Sequence, residues 1–277
     1  MRRFSGVCSV QSKFQLSHKV FGLNIVCPEI SRHAKPGQFV QLRLQEADAS
    51  CIWPRPFSIH KVTGDSVIIT IKIYGHVTQE MSLLEPGDSV YMTGPLGNGF
   101  PMPTEESPIY LVAGGVGLPP IHFLQEAILE QGYPKRLIHF YSGARTADEL
   151  LADEEIRASG VHYLVATDDG TKGIPGLITE QVAVELTRRR ASGDSPLPLI
   201  YACGPTAMLK RMAELSRGSP CYLSLEQLMP CGWGVCNGCA VLISKGNVHP
   251  TEDERGFRLA RVCKEGPVFE ASELVWR

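Results

Sequence analysis

The stretch Ile-Tyr-Leu-Val-Ala-Gly-Gly-Val-Gly-Leu-Pro-Pro, residues 109–120, decides the fold. Its first five residues form an uninterrupted apolar run, which is typical of a strand that is buried on both faces. The glycines that follow allow a tight turn, and a segment with helical periodicity continues through residues 121–129. We therefore predict a strand, a glycine turn and a helix, which together open a parallel α/β domain.

Strands and helices alternate downstream of this stretch. The patterns predict strands at 136–141, 162–166 and 198–202, and helices around 147–158, 176–190 and 206–216. Glycines follow two of these strands, in 167–170 and in 203–205. Because ligands bind at the carboxyl ends of strands in open parallel sheets, these glycine-containing ends predict a nucleotide crevice. The full G-x-G-x-x-G fingerprint is absent, so the site is not a standard Rossmann site, and a plain strand–helix turn is the alternative.

The chain upstream of residue 109 has the pattern of an antiparallel barrel. Apolar and β-branched residues dominate 40–44 and 67–74, and turn signals stand at 36–37, 63–65 and 86–88. The segment 94–103 is rich in glycine and proline and predicts an irregular linker. We predict a multidomain β plus α/β protein with an N-terminal barrel at residues 1–104, a doubly wound parallel domain at 105–220 and a third segment at 221–277.

Composition excludes several classes of protein. The 277 residues are 43% apolar, and 27 Lys and Arg against 29 Asp and Glu give a net charge of −2, which argues against nucleic-acid binding. There is no run of about 18 apolar residues, so no membrane span is expected. The basic start lacks the apolar region of a secretory signal, so a cytoplasmic location is expected. Nine cysteines, an odd number, also make a disulfide framework improbable.

Four of the cysteines follow the pattern C-x4-C-x2-C…C, at Cys231, Cys236, Cys239 and Cys263. This is the plant-type [2Fe–2S] spacing. Two irons bridged by sulfide need four thiolates around a compact core, and the glycines within the loop let backbone N–H groups turn toward the sulfurs. The alternative is a structural zinc site, but zinc sites usually pair two short C-x2-4-C knuckles.

A second motif, Arg55-Pro56-Phe57-Ser58, lies between two predicted barrel strands. The forked donors of an arginine can hold a pyrophosphate, and Ser58 could hydrogen-bond a flavin ring edge with Phe57 packing beside it. A β-turn with a surface arginine is the alternative. The segment 75–78, after the next strand, could add backbone donors to a phosphate.

Taken together, these features resemble the ferredoxin–NADP reductase superfamily and, within it, the electron transfer subunits of NAD-dependent (class 1B) dihydroorotate dehydrogenases. The resemblance covers nearly the whole chain, and its most specific pieces are 55–59, 94–100, 167–170, 224–226 and 263–269. It implies FAD in the barrel, NAD at the parallel domain and a [2Fe–2S] cluster in the C-terminal segment.

The resemblance also implies individual site residues. Those implied for FAD are Arg55, Pro56, Phe57, Ser58, Ile71, Lys72, Ile73, Tyr74, Val77 and Thr78; those for NAD are Gly114, Gly115, Gly117, Asp168, Cys203, Gly204 and Pro205; those for the cluster are Cys231, Cys236, Cys239 and Cys263. No residue is expected to act on an organic substrate. Two departures stand out: Val77 replaces the second glycine of a Gly-x-Gly-Thr pattern, and the gap between Cys239 and Cys263 is long, with a polar insertion at about 249–257.

The expected function is electron transfer. A nicotinamide moves two electrons together and a cluster moves one, so a flavin between them is a chemical requirement. The resemblance implies a partner, an FMN-containing dihydroorotate dehydrogenase catalytic subunit in a heterotetramer, with electrons passing through FMN, the cluster and FAD to NAD⁺ in pyrimidine biosynthesis. One alternative is a related NAD(P)H–ferredoxin-type reductase subunit that serves another enzyme. Another is a zinc-stabilised interaction module without enzymatic activity.

Overall fold

The computed structural model describes residues 3–45, 53–244 and 256–276. The predicted polar insertion at 249–257 falls mostly outside these residues, and so does Cys51. The described chain forms two main sheets, a closed barrel and a seven-stranded sheet, together with one separate hairpin.

The N-terminal part is a closed antiparallel barrel, as predicted. Its strands are β1 (Phe4–Ser17), β2 (Val20–Val26), β3 (Phe39–Leu44), β4 (Arg55–Thr63), β5 (Ser66–Lys72) and β6 (Ser89–Leu96), in the order β1-β2-β5-β4-β3-β6. Two short helices, α1 (Pro28–Ser31) and α2 (His76–Met81), contribute buried side chains to its core. The prediction that 94–103 is irregular throughout was wrong at its start, because β6 pairs with β1 up to Gly94 and with β3 up to Leu96. Pro95 lies where the pairing register with β3 shifts, between Thr93 and Leu96, and such an irregularity is a place where a sheet tolerates proline.

The central part alternates strands and helices, as predicted. Its elements are β7 (Ile109–Gly114), α3 (Leu118–Glu130), β8 (Ile138–Ala144), α4 (Asp153–Ser159), β9 (His162–Thr167), β10 (Ile174–Pro175), α5 (Ile178–Ser192), β11 (Leu199–Cys203), α6 (Thr206–Leu215) and β12 (Cys221–Ser224). These strands run parallel in the order β10-β9-β8-β7-β11-β12. Since the order reverses at β7, the sheet is doubly wound.

The predicted helix at 147–158 is broken in the structure. A single 3-10 turn covers Ala147–Glu149, and α4 begins only at Asp153. Ala152 has a left-handed conformation with φ of 50°, which a continuous helix does not allow. Leu150 and Leu151 are buried between the two pieces, so tertiary packing overrides the local helical propensity.

The C-terminal segment is joined to the parallel sheet. After β12 the chain forms the hairpin β13 (Ala240–Ser244) and β14 (Phe257–Arg261), and it then returns as β15 (Val268–Glu270), which pairs antiparallel with β12. The segment therefore begins and ends at one edge of the seven-stranded sheet. The domain boundaries at 104 and 220 stay predictions. Among the described residues, no helix has the length and apolar character to cross a membrane.

Candidate functional site

A crevice of about 1010 Å³ separates the barrel from the carboxyl ends of the parallel strands. Eight of the residues predicted to bind cofactors line it. They are Lys72, Ile73 and Tyr74 from the barrel, and Gly114, Gly115, Asp168, Gly204 and Pro205 from the sheet. The structure thus places the end of the barrel strand β5 and the ends of the sheet strands β7, β9 and β11 around one cavity. The carboxyl ends of the strands are where an open parallel sheet binds a nucleotide.

Glycine is required directly beside this crevice, at Gly117, which together with Cys203 lies outside the lining although both were predicted to bind the nucleotide. A Cβ atom at Gly117 would lie 2.4 Å from the carbonyl carbon and oxygen of Cys203, so only glycine lets the start of α3 approach β11. Gly115 has a φ of +53°, in the left-handed region that favours glycine. The Cys203 side chain is fully buried, and this burial raises the pKa of its thiol well above the usual value. Its contribution to a ligand is therefore restricted to backbone atoms.

An ion pair spans the crevice from the barrel to the sheet domain. The Nζ of Lys72 lies 3.6 Å from the carboxylate of Glu149, which also accepts a hydrogen bond from the Nε of Arg145 at 3.2 Å. The hydrogen bonds from Arg145, together with the charge of Lys72, hold the pKa of Glu149 below its usual value although partial burial opposes this. The carboxylate is therefore charged at neutral pH and holds both cations at the rim.

Sequence reasoning missed several residues that line the crevice. Glu149, Met208 and Glu226 all face it, and so do the residues of the turn between β1 and β2, 17–20. Glu226 follows β12 by two residues, so its position after a strand end was a usable signal. The β1–β2 turn offered no such signal, because only the closure of the barrel brings it to the crevice.

The predicted flavin residues on β4 lie outside the lining of the crevice. Arg55 donates from its guanidinium to the carbonyl oxygen of Trp53 at 2.8 Å, Pro56 pairs with Gln41 of β3, and Ser58 pairs with Phe39. Phe57 packs against the barrel core. These four residues are consecutive at the start of β4, so the arginine donors and the serine hydroxyl belong to the same strand.

The remaining predicted flavin residues have internal roles in the structure. Ile71 is fully buried and Val77 is nearly so, and both belong to the barrel core. The Thr78 hydroxyl accepts hydrogen bonds from the N–H groups of Tyr74 and Gly75, at 2.9 and 3.1 Å. The side chains of Ile71 and Val77 are thus turned inward, and only their backbone atoms are left for a cofactor.

The four cysteines fit an iron–sulfur cluster. Backbone N–H groups point at their sulfurs: that of Trp233 donates to Cys231 Sγ at 3.4 Å, that of Gly238 to Cys236 Sγ at 3.4 Å, and that of Cys263 to Cys239 Sγ at 3.5 Å. Positive φ angles at Gly232, Gly234 and Asn237 produce this inward turn of the amides. Hydrogen bonds of this kind to thiolates are characteristic of such centres.

The charge state of the cysteines points the same way. Burial raises the pKa of Cys231, but backbone N–H groups, led by that of Cys236, outweigh burial and lower it to about 6. Burial and the nearby thiol of Cys239 raise the pKa of Cys263 to about 12. Crowded thiols that resist joint ionisation are stabilised as thiolates by a bound cation, because the cation cancels their repulsion. Iron, when bound, would supply that charge.

Interactions outside the cysteines fix the loop in place. Arg261 donates to the carbonyl oxygen of Gly234 at 2.6 Å and forms a bidentate ion pair with Glu265. On the barrel side, the Nε2 of Gln41 donates to the carbonyl oxygen of Met229 at 2.8 Å. Since Gln41 pairs with Pro56 in the barrel sheet, the cluster loop lies beside the strand that carries Arg55 and Ser58.

Comparison with known proteins identifies two families within the chain. Residues 226–275 match the iron–sulfur cluster binding domain of dihydroorotate dehydrogenase B, and residues 111–214 match the oxidoreductase NAD-binding domain. The first match overlaps the predicted cluster cysteines, and the second overlaps the predicted nucleotide crevice. The alternative of a zinc-stabilised module without enzymatic activity therefore loses its basis.

Full-length relatives agree with these matches. The chain is 32% identical over 271 residues to the dihydroorotate dehydrogenase B (NAD(+)) electron transfer subunit of Desulforamulus reducens, covering 96% of this chain and 97% of that protein. It is 30% identical to the subunit of the same name from Enterococcus faecalis, covering 99% and 100%.

Among solved structures, one from a study of flavin-based electron bifurcation by the NADH-dependent reduced ferredoxin-NADP oxidoreductase superposes with a TM-score of 0.81 at 29% identity, covering 97% of this chain and 90% of that one. A ferredoxin reductase of carbazole 1,9a-dioxygenase shares the fold, with a TM-score of 0.67 at 18% identity, covering 79% and 67% of the two chains.

Proposed function

Since the chain belongs to the family of dihydroorotate dehydrogenase B electron transfer subunits, we propose that it carries electrons from the FMN of a catalytic subunit, through a [2Fe–2S] cluster and FAD, to NAD⁺. The organic substrate is oxidised on the partner, and this oxidoreductase subunit removes the electrons. A bound flavin supplies the conversion between paired electrons on the nicotinamide side and single electrons on the cluster side.

One observation carries this proposal: the cluster loop, the Arg55–Ser58 strand and the crevice are consecutive neighbours. Gln41 ties the cluster loop to the strand beside Arg55, and β5, which pairs with that strand on its other edge, leads to Lys72 and Tyr74 in the crevice wall. An electron chain requires such an order, because each centre must lie close to the next.

The residues of the chain take distinct roles in this proposal. Cys231, Cys236, Cys239 and Cys263 would hold the cluster. Arg55 would bind the FAD pyrophosphate through its forked donors, and Ser58 would bind the edge of the ring. The NAD pyrophosphate would lie over Gly114 and Gly115 at the start of α3, where the helix dipole favours an anion.

The partner would dock over the exposed side of the cluster loop. Cys236 is exposed, and large apolar side chains near it face solvent: Val235 is 80% exposed, Leu228 84% and Trp233 42%. Exposed apolar groups concentrated in one short segment mark an interaction surface. A catalytic subunit that covers them would bring its FMN next to the most accessible cluster ligand, and two copies of each chain would form the heterotetramer.

The test is anaerobic reduction of the purified chain, followed by reconstitution. NADH should bleach both the flavin and the iron–sulfur absorbance. Mixing with the FMN-containing catalytic subunit should then produce dihydroorotate-dependent reduction of NAD⁺. A preparation without flavin or acid-labile sulfide, or one that NADH does not bleach, contradicts the proposal.

A second candidate is a reductase subunit that exchanges electrons between NAD(P)H and ferredoxin. The TM-score of 0.81 to a structure from the NADH-dependent reduced ferredoxin-NADP oxidoreductase study favours it. Reduction of ferredoxin by NADH, with no dihydroorotate activity in the reconstituted mixture, would select this alternative.

A further inference from the structure

Two side chains of the barrel hold the two cysteine segments of the cluster region. Gln41 of β3 is only 3% exposed and donates from Nε2 to the carbonyl oxygen of Met229, which precedes Cys231 by two residues. Asn98, just beyond β6, donates from Nδ2 to the carbonyl oxygen of Glu265 at 2.7 Å, two residues after Cys263. We call these two hydrogen bonds ties, and each reaches a backbone carbonyl group that is two residues away from a cysteine in the sequence.

Close backbone approach reinforces both ties. A Cβ atom at Gly232 would lie 2.7 Å from the side chain of Gln41, and one at Gly97 would lie 2.5 Å from Pro267. The N–H of Asn98 also donates to the carbonyl oxygen of Gly266 at 2.6 Å. The two segments are thus pressed against the barrel with no room for an extra methyl group.

Packing alone does not account for Gln41. Its Oε1 atom is buried and has no hydrogen-bond partner among the residues that the structure describes. A buried amide oxygen without a partner is destabilising, so the amide has a free-energy cost that its hydrogen bond from Nε2 must offset. What only the glutamine provides is a directed hydrogen bond to the backbone that leads into Cys231.

We propose that Gln41 and Asn98 are positioning residues for electron transfer between cluster and flavin, because they fix the distance of the cysteine segments from the Arg55–Ser58 strand. The inference rests on the proposed function. The step they serve moves one electron: in the proposed direction the reduced cluster loses it and the flavin gains it, and no bond forms or breaks. When NADH is the donor the same step runs in reverse, so that the reduced flavin loses the electron and the oxidised cluster gains it. Electron transfer slows steeply with distance, so a small displacement of the loop has a large kinetic effect.

The test compares Gln41→Met with the wild-type chain, both loaded with FAD and cluster. Methionine keeps the length of the side chain and removes the donor. In stopped-flow mixing with NADH, flavin reduction should keep its wild-type rate, and the later arrival of electrons at the cluster should slow by about 10-fold, in the range seen when outer-shell contacts of a metal centre are removed. The electron paramagnetic resonance signal of the reduced cluster should also shift.

The matched control is Gln11→Met, because among the described residues the hydrogen bonds of the Gln11 side chain are to Asn24 and Ser66 within the barrel. It should behave as the wild type. A second test, Asn98→Asp, changes an exposed residue and so keeps the chain folded; it should slow the same step and leave flavin reduction unchanged.

The inference is overturned if Gln41→Met, or Asn98→Asp where the first variant does not fold, passes electrons to the cluster at the wild-type rate with an unchanged resonance signal. It is also overturned if Gln11→Met slows the step equally. Failure of the proposed function is a separate result, since in that case the wild-type cluster is not reduced by NADH at all.

Discussion

The nucleotide crevice and the cluster loop are built in opposite ways. The crevice is shaped by close-packed backbone, with Gly117 directly against the carbonyl group of a fully buried Cys203. The cluster loop is held by amides that point at sulfurs from residues with positive φ, and one of its cysteines, Cys236, is exposed. The crevice therefore has its shape before a ligand arrives, whereas the amides of the loop converge on thiols whose joint ionisation a bound cation would stabilise.

The largest effect should come from the loop. Cys236→Ala removes one of four thiolates, so we expect loss of the cluster absorbance and of all electron transfer to the partner. NADH should still reduce the flavin, because in the proposed chain the flavin lies between the nicotinamide and the lost cluster. Absorbance spectra and activity with the catalytic subunit measure both, and Cys221→Ala, a buried cysteine elsewhere, is the control. A Cys236→Ala chain with a complete cluster spectrum and normal transfer would refute the ligand assignment.

The crevice region should be destabilised by the addition of a single methyl group at Gly117. In Gly117→Ala the new Cβ meets the backbone of Cys203, which cannot move without disturbing β11. We expect a loss of about 1–3 kcal/mol in the free energy of unfolding, typical of overpacking, and a higher KM for NADH. Denaturant unfolding and initial rates measure these effects. The cluster spectrum should not change, and if it does, the two regions are not independent.

A substitution in the Arg55–Ser58 strand, which is proposed to bind FAD, should have a milder effect. Arg55→Ala removes the donors proposed for the pyrophosphate, and a hydrogen bond to a charged group contributes about 1.5–3 kcal/mol. We therefore expect FAD affinity to fall by about 10- to 100-fold, measured as flavin retained after gel filtration. Arg43→Ala on β3, whose guanidinium stacks on Tyr91, is the matched control. Equal retention in the wild type and in Arg55→Ala would argue against the assignment.

The smallest effect is a loss of folding stability at low pH, in the part of the molecule that forms the crevice. His60 of β4 and His122 of α3 join the barrel to the sheet domain through a hydrogen bond of 3.0 Å. Burial is the main cause that lowers the pKa of His60 to about 3 and that of His122 to about 4. In the unfolded chain both titrate near 6.5, so below that pH the unfolded state binds more protons and stability falls.

Between pH 7 and pH 5.5 each histidine should remove about 1 kcal/mol of stability. Lys61, Glu126 and Glu155 are the charged groups that lie around the pair among the described residues. Urea unfolding at the two pH values measures the loss, and His122→Gln should reduce it by about half. A His122→Gln chain with the full wild-type loss would show that other groups carry the pH dependence.

Local pattern was enough to predict the barrel, the alternating sheet domain and the cysteine motif, because each depends on spacing within a short stretch. The break at Ala152 could not be predicted, since burial of Leu150 and Leu151 overrides local propensity there. Gln41 could not be predicted as a contact of the cluster loop either. Its partner, Met229, lies 188 residues away, and no local signal connects them.

The hairpin β13–β14 explains how the long gap between Cys239 and Cys263 is compatible with one compact centre. Its register pairs Ala240 with Arg261, and the N–H of Val262 donates to the carbonyl oxygen of Cys239 at 3.1 Å. The two cysteines therefore stand side by side at the base of the hairpin. Their separation in space is set there, independently of how many residues the far end contains, so the length of this segment can vary without moving either cysteine.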